Sequence, residues 1–312
     1  MLKKLIESAL EPLGYQLHRM PRHLRAQRVA YLPVTVGRFQ IEMPSSSLLP
    51  DMFEVNPNYS SELGRLAAIT NSKYPDLRVI DVGANYGDSV AVIRSVVDVP
   101  IDCVEGDLEC LPMLEKNLAQ FDRVRVHALF LGERTETISA SVEKEGWNTT
   151  IVPSNNGSSK PISLITLDDF SSMNDSASCK VLKIDTEGFD CRIVRGGLSF
   201  IKRVKPVIAL EYNRDNMTRI GETGIETLQM LKDIGYETIL FYDGQGRLVL
   251  STNLKNQAVI EDLHEYANGR NGAIYYYDLC VFHREDSDIA TSFETAERAR
   301  IKLANGAQRA AD

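Results

Sequence analysis

The chain has 312 residues, of which 43% are hydrophobic and 25% are charged, and its formal net charge is -8. This length and composition are typical of one globular α/β enzyme domain with appendages, and the acidic balance argues against a nucleic-acid partner, which needs a basic surface. No apolar run reaches membrane-spanning length, the N-terminus lacks an uninterrupted apolar signal region, and the five cysteines form no C-x-x-C pair, so we expect a cytoplasmic protein with buried thiols.

Residues 1–74 form a predicted N-terminal extension. Apolar residues recur at helical spacing over residues 1–15, which predicts an amphipathic helix. Such a helix packs on its own domain or on a second subunit, giving a homo-oligomer, or makes a weak contact with a membrane surface. A small β element is expected near residues 34–41, and a helix over residues 59–70 is expected to cover the entrance of a ligand pocket.

A strand rich in β-branched residues, 77–82, leads into a glycine loop and then into an amphipathic stretch, 89–97. Gly83 and Gly87 allow the backbone to turn sharply and a ligand to approach closely, and the following helix directs its N–H groups at that ligand. The spacing differs from the dinucleotide pattern G-x-G-x-x-G because Asn85 occupies the middle position. The loop still predicts a nucleotide-like ligand at the carboxyl edge of an open sheet.

The next apolar run, 101–105, ends in Glu105, about 20 residues further on, where an acidic side chain can bind ribose hydroxyls. Asp81 lies just before the glycine loop. One carboxylate at each of two adjacent strand ends suits a ligand that carries a ribose and a positive charge. S-adenosylmethionine has both, so it is the predicted cofactor.

Strands and helices alternate from residue 77 onwards, which implies a parallel sheet with helices on both faces. The later predicted strands are 124–131, 180–185, 206–211, 237–242 and 273–283, with helices near 108–118 and 224–234. The stretch 133–178 is longer than a simple crossover and is the candidate for a substrate lid. Residues 287–312 predict a polar helix that ends in a tail.

The segment VLKIDTEGFD at 181–190, followed by IVRGG at 193–197, resembles the second signature of the FkbM-type methyltransferases. ITLDDF at 165–170 and PVIALE at 206–211 complete the same family pattern, and the likeness covers roughly residues 75–215. It implies a Rossmann-like class I methyltransferase sheet of seven strands, mostly parallel with the last strand antiparallel. The domain would span 75–285, after the extension at 1–74 and before a C-terminal helix and tail at 286–312.

The resemblance implies O-methylation of a hydroxyl on a sugar, a polysaccharide or other glycan, or a glycosylated metabolite. Asp81 and Asn85 would hold the methionine end of the cofactor, Glu105 would bind the ribose, and Leu131 would lie near the adenine. The full set of expected cofactor contacts is Asp81, Gly83, Ala84, Asn85, Gly87, Glu105, Gly106 and Leu131.

Methyl transfer to a hydroxyl calls for a base or a Lewis-acidic metal. Asp185 and Glu187 alternate along an extended segment, so both carboxylates could face one cavity as the base or as ligands of a divalent ion such as Mg²⁺. Alternatively, Asp185 caps the next helix and Glu187 binds amides of the turn. Glu211, with Asn213 two positions on, is a third candidate for catalysis, metal binding or acceptor binding, or is a plain strand-end carboxylate.

Other polar and aromatic residues have structural alternatives. Trp147, beside Asn148 in a polar stretch, could stack on a sugar face or a cofactor ring, or could simply anchor its loop. Lys183 lies inside a strand and is expected to be a paired structural lysine. His127 is expected to be a core residue.

Two rival functions remain open. An NAD-dependent oxidoreductase or sugar epimerase would need a Tyr-x-x-x-Lys pair, and neither Tyr86 nor Tyr212 has a lysine at that spacing. A non-catalytic subunit that binds the nucleoside is the second rival.

Overall fold

The structure is a computed structural model, and it describes residues 31–145, 148–153, 159–270 and 273–311. The predicted N-terminal helix at 1–15 lies outside this part of the chain. The strands are β1 (Tyr31–Val36), β2 (Phe39–Pro44), β3 (Arg78–Val82), β4 (Ile101–Glu105), β5 (Val124–Ala128), β6 (Phe130–Gly132), β7 (Glu136–Glu145), β8 (Asn148–Pro153), β9 (Lys160–Thr166), β10 (Cys179–Ile184), β11 (Val207–Tyr212), β12 (Tyr236–Tyr242), β13 (Leu248–Asn253) and β14 (Tyr277–His283).

The helices are α1 (Leu49–Val55), α2 (Ser61–Lys73), α3 (Asp88–Arg94), α4 (Leu111–Leu118), α5 (Leu167–Met173), α6 (Asp190–Gly196), α7 (Leu198–Val204), α8 (Arg214–Arg219), α9 (Ile225–Asp233), α10 (Gln257–Tyr266) and α11 (Ser287–Ala311). Two short 3-10 helices cover Asn268–Arg270 and Arg284–Asp286. Among these described helices, none is long and apolar enough to cross a membrane.

The central sheet has eight strands in the order β13-β12-β14-β11-β10-β3-β4-β5. β11, β10, β3, β4 and β5 pair in parallel, and β14 runs antiparallel between β11 and β12. The predicted class I sheet, mostly parallel with an antiparallel last strand, is therefore confirmed. The eighth strand, β13, was not predicted; it follows a turn at 243–246 in which Asp243 accepts backbone N–H bonds from Gln245 and Arg247.

Alternate residues of the central strands enter two separate apolar clusters, one on each face of the sheet. On β3, Ile80 and Val82 belong to one cluster and Val79 belongs to the other, as the two-residue period of a strand requires. The first cluster includes residues of α5, α6, α7 and α9. The second cluster includes residues of α2, α3, α4, α11 and the β1–β2 hairpin, so the described part of the N-terminal extension shares the core of the domain.

A second, four-stranded sheet in the order β6-β9-β7-β8 is built from the chain after β5. The single strand expected at 124–131 is divided there, because Leu129 N donates to Glu105 O and His127 O and turns the chain out of the central sheet. The long stretch expected to form a lid, 133–178, is thus largely β structure followed by α5. It reaches the central cavity through Thr150 and Ile151 of β8.

Candidate active site

A cavity of about 690 Å³ lies at the carboxyl ends of the parallel strands. The chain passes from β3 to β4 and β5 on one side of the sheet, whereas β10 and β11 continue on the other side. The carboxyl ends of β3 and β10 therefore flank the topological switch point, where open α/β sheets bind their ligands. The volume is in the range of small-molecule and cofactor sites.

Gly83 brings the ends of β3 and β10 into close contact. Its φ is +77°, and a Cβ placed on it would lie 1.8 Å from Asp185 O, so the loop requires glycine at this position. Asp185 N donates to Val82 O at 3.0 Å, and Gly83 N donates to Val104 O at 2.9 Å. These bonds tie three strand ends together beneath the cavity.

The carboxylate of Glu105 connects the loops after β3 and β4. Its Oε2 accepts a bond from Asn85 N at 2.9 Å, and its Oε1 accepts one from Asp107 N at 2.8 Å. Burial raises the pKa of Glu105. Glu105 and Asn85 both line the cavity, so the structure brings together the loop and the acidic strand end that the sequence singled out.

Asp81 differs from expectation because its side chain lies under the cavity wall. It is fully buried at 0% exposure and is absent from the described cavity lining. Its Oδ1 lies 3.0 Å from Lys183 Nζ, and the Ser89 hydroxyl donates to its other oxygen. The lysine also donates to Gly83 O at 2.9 Å, so Asp81 supports the glycine loop from below.

Lys183 has the paired environment expected of a structural lysine. Burial alone would lower its pKa, but the carboxylates of Asp81, Asp185 and Asp88 raise it instead. Its Nζ lies 3.7 Å from Asp185 Oδ2. Lys183 therefore keeps a positive charge at the switch point.

The remaining predicted cofactor residues divide into two groups. Gly106 and Leu131 line the cavity, and a Cβ on Gly106 would lie 2.2 Å from the Phe130 ring. Ala84 and Gly87 are not among the described lining residues. Gly87, with φ +86°, is the residue before α3, so its conformation orients the helix start.

Asp185 and Glu187 both line the cavity but differ in environment. The Asp185 side chain is 46% exposed. Glu187 lies in a left-handed turn, with φ 55°, and its Oε2 accepts a bond from Asn216 Nδ2 at 2.5 Å. Burial, reinforced by Asp185 and Asp190, raises the pKa of Glu187.

The role of binding the turn amides belongs to Asp190. Its carboxylate oxygens accept bonds from Thr186 N and Gly188 N, both at 3.1 Å. Burial and the nearby Asp185 raise the pKa of Asp190 to about 7. The sequence-based alternative assigned this kind of role to Asp185 and Glu187, and it passed over Asp190.

Glu211 and Asn213 follow each other along the same cavity wall. Within the described chain, Glu211 Oε2 is buried without a hydrogen-bond partner. Burial raises the pKa of Glu211, and Glu187 and Asp185 raise it further. Asn213 is the N-cap of α8, and its Oδ1 accepts a bond from Asn216 N at 3.3 Å.

Sequence reasoning missed several polar residues of the cavity. Glu62 on α2, Asp88 at the start of α3 and Asp278 on β14 all line it. Burial raises the pKa of Asp88 to about 6. For Asp278, the sequence did contain a signal, because a charged residue directly after a run of three tyrosines in a predicted strand is unusual.

Two predictions receive no support from the described residues. Trp147 lies outside them, and only the backbone of Asn148, in β8, is described. Within that part of the chain, no group of three or more His, Cys, Asp or Glu side chains is arranged to hold a metal ion. The structure thus gives no support to a metal at Asp185, Glu187 and Glu211.

The sequence matches the model of the Methyltransferase FkbM domain over residues 49–238. Among solved structures, methyltransferase FkbM from Methylobacillus flagellatus KT is 17% identical with a TM-score of 0.40, over 66% of this chain and 43% of that chain. The METTL16 methyltransferase domain is 12% identical (TM-score 0.43; 79% and 74% covered). Precorrin-6y C5,15-methyltransferase from Geobacter metallireducens GS-15 is 14% identical (TM-score 0.35; 70% and 88% covered).

The chain spans less than half the length of the Methylobacillus protein that it matches. No curated protein matches the sequence. The family model, in contrast, covers more than half of the chain. The matched range includes all strands from β3 to β11, and with them the strand ends beside the cavity. The chain therefore belongs to the FkbM methyltransferase family.

Proposed function

We propose that the protein is an S-adenosylmethionine-dependent O-methyltransferase that acts on a hydroxyl of a sugar, glycan or glycosylated metabolite. One observation carries the proposal: a single cavity at the switch point has Glu105 and the glycine loop on one side and Asp185 and Glu187 on the other. A methyltransferase needs both a nucleoside site and a proton acceptor near it. The family membership supports methyl transfer; the cofactor, the acceptor and the roles of the residues are our inference.

The cofactor half of the proposed site consists of Gly83, Asn85, Glu105, Gly106 and Leu131. Their fit to a nucleoside rests on the half-buried Glu105 carboxylate, whose oxygens retain lone pairs that can accept bonds from ribose hydroxyls. Gly83 and Gly106 lack a Cβ where the Asp185 carbonyl and the Phe130 ring approach the backbone, so these two glycines allow the close packing that shapes this half of the cavity. S-adenosylmethionine held by these residues would supply an electrophilic methyl group.

In the acceptor half, Glu187 is the proposed proton acceptor. Its raised pKa makes it a stronger base than an ordinary carboxylate, and the amide of Asn216 fixes its orientation. Asp185, which is open to the cavity and next to Lys183, would orient the hydroxyl. Glu211 would accept further bonds from the acceptor.

The proposal is tested by isothermal titration calorimetry with S-adenosylmethionine, S-adenosylhomocysteine and NAD. We expect both sulfur nucleosides to bind and NAD to give no heat, because Glu105 and the glycine loop form one ribose site without the dinucleotide spacing. Preferential NAD binding would instead favour an oxidoreductase or epimerase. Nucleoside binding without methyl transfer to any acceptor in a cell extract would favour a non-catalytic subunit.

A cytoplasmic location and a homo-oligomeric state stay predictions, as does a small-molecule or glycan acceptor in place of a nucleic acid. The acceptor is best found by comparing the masses of glycans from cells with and without the gene. A difference of one methyl group per sugar would identify the target.

A further inference from the structure

Two acidic side chains lie directly opposite each other on neighbouring strands of the cavity wall. Glu211 on β11 pairs in register with Asp278 on the antiparallel β14, and both line the cavity. Directly opposed residues of an antiparallel pair point to the same face, with Cβ atoms about 5 Å apart, and like charges in this position destabilise a sheet. A positively charged ligand between them would offset that repulsion.

A third carboxylate, that of Glu62, closes the same wall from α2. Glu62 is 3% exposed, lines the cavity, and its Oε2 has no hydrogen-bond partner among the described residues. Burial raises its pKa to about 7, and burial together with Glu62 raises the pKa of Asp278. Neither Glu62 Oε2 nor Glu211 Oε2 has a donor within this part of the chain, so both of these buried oxygens lack the hydrogen bond that buried polar atoms ordinarily have.

Two of the cations near this wall have partners elsewhere, and Arg219 and Arg247 also line the cavity. Lys183 contacts Asp81 and Gly83 O, and Arg65, on the same helix as Glu62, forms a two-bond pair with Glu297. A cationic ligand beside these carboxylates would favour their ionised form, which burial disfavours.

Tyrosine rings line the same region. Tyr59, Tyr275 and Tyr276 all line the cavity; Tyr59 packs edge-on against Phe53 at 5.4 Å, and Tyr275 packs against Tyr276 at 5.1 Å. Aromatic faces attract cations through their quadrupole. Carboxylates and aromatic rings together favour an organic cation over a neutral group.

Asp278 lies across the sheet from the proposed cofactor contacts. β14 is separated from β3 by β11 and β10, which at the usual strand spacing amounts to about 14 Å. The wall thus faces the acceptor under the function proposed above, on which this step depends.

We propose that Glu62, Glu211 and Asp278 bind a protonated amine of the acceptor, so that the methylated substrate is an amino-bearing polyol such as an amino sugar. An acceptor with a carboxylate or phosphate at this position is disfavoured by the same three groups. The two residues new to the site, Glu62 and Asp278, determine specificity and take no part in proton transfer.

The test compares D-glucosamine with N-acetyl-D-glucosamine, which has the same ring but no charge on nitrogen. Dissociation constants are measured by saturation-transfer NMR at neutral pH on protein incubated with S-adenosylhomocysteine. We expect glucosamine to bind at least about tenfold more tightly, a difference of about 1.4 kcal/mol. Asp278→Asn and Glu62→Gln should each reduce this preference at least about threefold, whereas Asp233→Asn, which removes an exposed carboxylate of α9 outside the cavity lining, should leave it unchanged.

Equal binding of the two sugars, absence of glucosamine binding, or an unchanged preference in both cavity variants would overturn the inference. Circular dichroism and thermal melting of the variants show that they are folded. Calorimetry with S-adenosylhomocysteine separates the two proposals. If the nucleoside binds but the amine preference is absent, the acceptor inference alone fails; if the preference is present without nucleoside binding, the proposed function fails.

Discussion

Lys183 connects three parts of the site through a single ammonium group. It forms an ion pair with the fully buried Asp81, donates to the backbone of the glycine loop at Gly83 O, and lies 3.7 Å from Asp185. A buried carboxylate is stable only when its charge is compensated. We infer that the main role of Lys183 is structural: it holds the glycine loop in place, whether or not a ligand is bound.

Replacing Lys183 by Met should destabilise the protein by about 3–5 kcal/mol, because it leaves Asp81 as an unpaired buried charge. The double substitution Lys183→Met with Asp81→Asn should recover part of this loss, since the uncompensated charge is then removed. Urea unfolding measures both changes, with Lys202→Met on the exposed surface of α7 as the control. A loss below about 1 kcal/mol would show that Asp81 does not depend on the lysine.

The sequence could predict those site residues that lie at or just after the end of a strand. Glu105, Asp185, Glu187 and Glu211 could be found in this way, because parallel strands present their carboxyl ends at one edge of the sheet. The buried pairing of Asp81 could not be found, since the side chain of a strand residue can point either to a ligand or to a neighbouring strand. Asp278 was missed because its strand enters the sheet between β11 and β12, an order that residue patterns do not encode.

The C-terminal helix α11 is a part of the core. The sequence predicts only a polar helix there, because its apolar residues are few. The structure nevertheless buries Ile289, Ala290 and Phe293, which are spaced for one helical face. Polar contacts add to this packing: Arg65 of α2 pairs with Glu297, which is 1% exposed.

Phe293→Ala should lower the free energy of unfolding by about 3–5 kcal/mol, the usual cost of removing a buried aromatic side chain. The ring is fully buried and contacts Tyr242 and Phe282, with centroids at 6.4 and 6.0 Å. Leu303→Ala on the same helix is the matched control, because that side chain is 76% exposed and its loss should change stability by less than about 0.5 kcal/mol. Equal effects in chemical denaturation would mean that α11 is not anchored through its apolar face.

The whole molecule is organised by the switch point between β3 and β10. Alternation of apolar strands with amphipathic helices was sufficient to predict the parallel sheet, since only that arrangement buries both faces. The second sheet was not predictable in the same way, because β7 and β8 carry polar residues on many positions. In that sheet β7 pairs with β8 on one side and with β9 on the other. The result is one cavity whose two sides come from opposite halves of the central sheet.

This division predicts that substitutions on the cofactor side of the cavity weaken nucleoside binding, whereas substitutions on the acceptor side lower kcat. Glu105→Ala should weaken S-adenosylhomocysteine binding at least about tenfold, because it removes the carboxylate that positions the loops after β3 and β4. Glu187→Gln should leave that affinity within about twofold and lower kcat at least about a hundredfold, the usual contribution of a general base. Calorimetry and steady-state rates on each variant separate these effects, and Asp185→Asn serves as the comparison for a carboxylate that orients the hydroxyl. A Glu187→Gln enzyme with full kcat would place the base elsewhere, and loss of nucleoside binding in that variant would show that the two sides of the cavity do not act independently.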